Sequence, residues 1–97
     1  MNMGKSAYKV PGGKLIKIEL SESNGTIESV KIMGDFFMHP EEAMDSLEKG
    51  LAGVAVNHDS IIDAATELMQ ENNIELFGIN AEALAEAIMR ARDRGAE

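Results

Sequence analysis

The chain has 97 residues, 44% of them apolar, which is enough for one domain with its own core. The absence of cysteine excludes disulfides, thiol catalysis, iron–sulfur clusters and cysteine-ligated zinc. The net charge of −8 combines +4 over residues 1–18, where Lys5, Lys9, Lys14 and Lys17 meet no acid, with −12 over residues 19–97, an acidic bulk that argues against a nucleic-acid-binding body.

Residues 1–7 read as a flexible lead-in, and Tyr8 to Val10 as a short strand ended by Pro11-Gly12-Gly13. From Lys14 to Ser21, Ile16, Ile18 and Leu20 alternate with Lys17 and Glu19, the pattern of a half-buried strand. Asn24-Gly25 marks a turn, and Ile27 to Met33 supplies the return strand. A two-residue loop continued in plain register would set Ile18 against Lys31. Sliding the pairing by one sets Ile18 against Ile32, Leu20 against Val30 and Glu19 against Lys31, so that apolar faces agree. A three-residue loop, or a bulge near it, is therefore expected in place of the tight turn that Asn-Gly usually signals. Asn24-Gly25-Thr26 also matches a glycosylation sequon, but residues 1–20 do not form a secretory signal and the turn reading prevails.

Three helices follow in the reading. The first starts at His39-Pro40-Glu41-Glu42, with proline at the first helical position, and carries Met44, Leu47, Leu51 and Val54 inward up to a stop at Gly53. The second runs from about His58 to Glu71 with Ile61, Ile62, Ala65, Leu68 and Met69 on its buried stripe. Ile74 to Ile79 is a short extended connection. Asn80 then caps the last helix, in which Leu84, Ile88 and Ala91 face inward and Arg90, Arg92 and Arg94 suit the negative end of the helix dipole. Strands first and helices after predict an α+β fold: an antiparallel β-meander followed by three helices packed on one face, in a single domain over 1–97 with its body at 8–92. No apolar run approaches the ~18 residues of a membrane span, and the composition fits the cytoplasm.

Few motifs carry chemistry. Gly12-Gly13-Lys14 fails as a phosphate loop, because Tyr8 and Leu15 stand where a P-loop needs glycine and a hydroxyl residue. It reads as a strand-connecting turn or as a basic turn meeting a phosphate held by another chain. His39 and His58 lack metal-ligand spacing. Gly34-Asp35-Phe36-Phe37-Met38 is the distinctive segment. Two consecutive aromatics on an extended backbone cannot both enter one core, so one should anchor the core while the other is exposed or covers something. The plainer reading is that a chain bend accommodates both internally, and the sharper alternative is a phenylalanine that faces a partner. Met33 and Met38 are expected to be partly exposed beside that surface.

Pro11-Gly12-Gly13-Lys14-Leu15, Gly34-Asp35-Phe36-Phe37, Pro40-Glu41-Glu42-Ala43, Leu47-Glu48 with Gly53, and Phe77-Gly78-Ile79 together resemble the carboxyl-terminal accessory domain of lipoate–protein ligase, over roughly residues 9–92. The resemblance implies a fold similar to the SufE/NifU-like scaffold of iron–sulfur assembly proteins, without the cysteines those scaffolds use. It implies the separate small subunit of a bipartite ligase, a heterodimer with a catalytic chain that binds ATP, magnesium and lipoate and forms lipoyl-adenylate. On that reading this chain holds no cofactor and no catalytic residue of its own. Lipoyl-domain acceptor proteins are met indirectly, and neither nucleic acid nor membrane is a partner. The candidate contacts are Gly12, Gly13, Lys14, Gly34, Asp35, Phe36 and Phe37. The alternative is a non-catalytic adaptor that recruits an acceptor protein.

Overall fold

A computed structural model describes residues 2–95, and side chains as far as Asp93. Its elements run β1 (Asn2–Lys9), β2 (Leu15–Ser23), β3 (Thr26–Gly34), β4 (Phe37–His39), α1 (Ala43–Leu51), α2 (His58–Glu71), β5 (Glu75–Phe77) and α3 (Ala81–Gly95). The architecture is the expected α+β one. β1, β2 and β3 form an antiparallel sheet with β2 in the middle, and β4 pairs antiparallel with β5 in a second, two-stranded sheet.

The hairpin pairs as the apolar pattern requires, Ile18 with Ile32, Glu19 with Lys31 and Leu20 with Val30. Of the two expected devices, a three-residue loop or a bulge near it, the structure has the bulge, and it keeps the tight turn. Ser23 pairs with Thr26, leaving the two-residue turn Asn24-Gly25, whose φ angles of 54° and 78° are those a tight primed turn demands. The register change comes instead from a bulge: Ser21 pairs with Ser29 and Glu22 with Ile27, so Glu28 has no strand partner. Its carboxylate accepts a hydrogen bond from the Ser21 hydroxyl at 3.3 Å.

β1 begins at Asn2, so the segment read as a lead-in pairs along β2 from Asn2–Glu22 to Lys9–Leu15; Met1 lies outside the described residues. Weak alternation in Asn2–Ala7 hides this strand from the sequence. Its hold on the fold comes from partners: the buried Ser6 hydroxyl donates to the Ala87 carbonyl of α3 at 2.7 Å, and the Arg90 guanidinium lies 4.3 Å from the Tyr8 ring centroid. Ala83, Ala87 and Ala91 are buried along α3, and these small side chains let that helix lie close over β1 and β2. α1 covers β3, and α2 packs on α1 and α3. The core joins Ile16, Ile18, Leu20 and Ile32 of the sheet to Leu47, Leu51, Ile61, Leu84 and Ile88 of the helices.

α2 has the expected limits, with Asn57 accepting from the Ser60 amide as its cap. Asn80 caps α3 by accepting from the Ala83 amide at 2.8 Å, and Leu84, Ile88 and Ala91 are buried as expected. The Arg94 side chain lies outside the described residues. The start of α1 is corrected. His39 pairs with Glu75 in β4–β5, so Pro40 follows a strand, and the helix begins three residues later at Ala43. The Ala43 amide donates to the Pro40 carbonyl across the intervening turn. Gly53, with φ 90°, stands just past the end of α1, where its amide donates to the Ile27 carbonyl.

Candidate partner-docking site

Three segments far apart in sequence meet at one end of the sheet. Val10 to Gly13 is a tight turn with Pro11 and Gly12 at its centre, closed by the Gly13 amide donating to the Val10 carbonyl at 2.8 Å. The next amide, that of Lys14, donates to the Gly78 carbonyl at 2.9 Å, and the Lys14 stem lies over the Gly78 Cα. Gly34 pairs with Ile16 at φ 145° with its Cα pressed against the Leu15 carbonyl, a place with no room for a β-carbon. The Asp35 amide then donates to that same carbonyl at 3.1 Å. Gly12, Gly13, Lys14, Gly34 and Asp35 are thus gathered around the start of β2 by backbone hydrogen bonds.

From this frame the chain enters β4, where the two phenylalanines part. Phe36 is half-buried and packs on the core. Phe37 is 67% exposed. Met38 and its cross-strand partner Leu76 turn toward the core, and Met38 is buried, which corrects its expected partial exposure. Alternation then sends Phe37 outward beside its own partner, Phe77, which is 50% exposed. The result is an aromatic pair on the outer side of the two-stranded sheet. A shallow hollow of about 340 Å³ adjoins Phe36 and Phe37, walled partly by Met33, Met38 and Met44. Flexible thioethers around an aromatic step suit a surface that must fit another protein. His39 and His58 are both exposed, at the ends of β4 and α2. Among the described residues, no group of three His, Asp or Glu side chains is placed to hold a metal ion.

Phe77 is absent from the contact residues read off the sequence. A lone aromatic in a three-residue strand gives no alternation to analyse, and only the strand pairing puts it beside Phe37.

The family model of the bacterial lipoate protein ligase C-terminus matches residues 5–88. The chain belongs to this family. The small subunit of a bipartite lipoate protein ligase from Thermoplasma acidophilum, solved in a study of that archaeal lipoylation system and its E2 lipoyl domain, superposes on this ligase C-terminal domain with a TM-score of 0.77. The two are 27% identical, and the match covers 91% of this chain and 97% of the archaeal one. The comparison with curated proteins gives no match. The Pro11–Lys14 turn, the Gly34–Phe37 segment and Phe77-Gly78 are neighbours in this structure. No helix of the described chain is long and apolar enough to cross a membrane.

Proposed function

We propose that this domain is the accessory subunit of a bipartite lipoate–protein ligase, acting with a separate catalytic chain in the ATP-dependent activation of lipoate to lipoyl-adenylate. The observation that carries the reading is the near end-to-end correspondence with a bipartite ligase's small subunit. The exposed Phe37–Phe77 pair supplies the apolar anchor for the catalytic chain, and Met33 and Met44 the adaptable surround. Lys14, held beside them by Gly78, brings positive potential toward the nucleotide phosphates on the partner. Docking in this way covers the adenylation site and keeps water from a reactive acyl-adenylate. ATP, magnesium and lipoate sit on the catalytic chain, and this chain contributes enclosure and charge.

The test is pyrophosphate release from ATP and lipoate. The chain alone is expected to release none, and a catalytic chain lacking its own accessory domain is expected to gain adenylate formation when the two are mixed. Turnover by this chain without a partner overturns the reading.

A further inference from the structure

The helices cover only one side of the three-stranded sheet. α3 lies on β1 and β2 and α1 on β3, on the side to which Ile16, Ile18 and Leu20 point. Alternation sends the residues between them to the other side, which no element of the described chain covers. Across its middle runs the row Lys5–Glu19–Lys31, and the next row is Ala7–Lys17–Met33. All three lysines and Glu19 are exposed. The ion pairs among the described residues join Lys49 to Asp45, Arg90 to Glu86 and Arg92 to Asp93, none of them on this face. The middle row carries two bases to one acid in a chain of net charge −8, while Glu28 and Glu48 stand at the edge of the face. Residues 41–71, which include α1 and α2, carry eight acids against the single base Lys49.

The open face is also concave. A hollow of about 630 Å³, the largest of the molecule's described cavities, is lined by Met3, Lys5, Glu19, Ser21, Lys31 and Glu48 of α1 among others. Ser21 is only 6% exposed although it belongs to the open side. Its hydroxyl donates to the carboxylate of the bulged Glu28 at 3.3 Å.

We propose that this face is a second docking surface, for a charged surface of complementary sign pattern on the protein that accepts the acyl group. The proposal rests on the ligase reading for the identity of that partner. Its chemistry is set by the pattern of signs. Lys5 and Lys31 lie one strand to either side of Glu19, about 10 Å apart at their β-carbons. A row reading plus, minus, plus is matched by two carboxylates astride one base, which a protein surface can present. Nucleic acid and anionic lipid offer anions alone, and Glu19 at the centre of the face repels them. The type of surface also separates this partner from the catalytic chain. An exposed aromatic anchor suits a companion that stays, whereas a charged face raises association rate and specificity for a partner that must leave after each transfer.

The test is a titration of the isotope-labelled chain with an unmodified E2 lipoyl domain, followed by amide shifts and repeated as salt is raised. Shifts centred on Lys5, Lys17, Glu19 and Lys31 are expected, with affinity falling as salt screens the contact. Lys5→Gln/Lys31→Gln, chosen to avoid like charges beside Glu19, should weaken binding at least tenfold. Glu19→Lys separates the classes of partner: it weakens a sign-matched protein but strengthens binding to RNA or to anionic phospholipid vesicles. With a catalytic chain present, the double lysine variant should leave pyrophosphate release unchanged and raise the KM for the lipoyl domain. No shift on this face, equal affinity of the double variant, or tighter binding by Glu19→Lys overturns the inference. Self-association of the chain abolished by the same substitutions also overturns it, assigning the face to a second copy. If no catalytic chain responds to the domain, the ligase reading fails, and the titration still decides the face by itself.

Discussion

The two sheets use the same alternation to opposite ends. In β1–β2–β3 the inward residues Ile16, Ile18, Leu20, Val30 and Ile32 are all buried under α1 and α3, and the outward ones mix Lys5, Lys17, Glu19 and Lys31 with Met3, Ala7 and Met33. In β4–β5 only Met38 and Leu76 turn inward, and the outward pair is Phe37 and Phe77. A two-stranded sheet of three residues a side is marginal alone, so this one is held by its surroundings: Phe36 and Met38 against the core, and the Gly34–Leu15 and Lys14–Gly78 contacts at its flanks. Burying a phenylalanine side chain contributes roughly 1.5–3 kcal/mol, and in the isolated domain much of that is not realised at Phe37 and Phe77. The large sheet is where the fold is stabilised, and the small one is where apolar surface is left exposed.

That contrast can be broken at several points. Ile18→Ala, in the middle of the covered face, should cost roughly 2–5 kcal/mol of folding free energy, read as a fall in the denaturant midpoint of the isolated chain. Gly34→Ala combines a β-carbon aimed at the Leu15 carbonyl with a backbone conformation hostile to side chains, and a loss of about 2–4 kcal/mol is expected. A midpoint unchanged in that variant would show that the junction between the sheets is looser than the described geometry. Phe37→Ala/Phe77→Ala should shift the midpoint little, since exposed substitutions fall within about 0.5 kcal/mol per site, yet weaken binding to the catalytic chain by about 2 kcal/mol. Phe36→Ala serves as the contrast: its half-buried ring should cost stability first, about 1–3 kcal/mol, with weaker docking only as a consequence. Lys14→Ala should leave folding nearly unchanged, within about 0.5 kcal/mol, while slowing pyrophosphate release by the complex. If the double phenylalanine variant docks like the parent, the apolar anchor lies elsewhere and the division of labour between the sheets fails.

Local information determined a large part of this molecule. The alternation of Ile16, Ile18 and Leu20 against Val30 and Ile32 leaves one register in which both apolar sets face the same way, and the structure has it. The limits of α2 and the Asn80 cap of α3 follow from helical spacing and from a side chain able to bond its own helix start. That Phe36 and Phe37 would part on an extended chain was open to argument too, but whether a bend buries both, and which ring faces out, was not decided until the structure placed Phe36 on the core and left Phe37 exposed.

Long-range contacts decided the rest. Asn2–Ala7 has weak apolar alternation, and it becomes a strand because β2 offers an unpaired edge and Ala87 an acceptor for Ser6. Pro40 has the features of a helix start, but pairing of His39 with Glu75, thirty-six positions away, keeps that stretch extended. The sequence alone could argue that Ile18 would be buried, because its neighbours in the hairpin are local. It could not argue that Phe77 would stand beside Phe37, or that Lys5 and Lys31 would flank Glu19, because both arrangements depend on strands brought together by the packing of the whole domain.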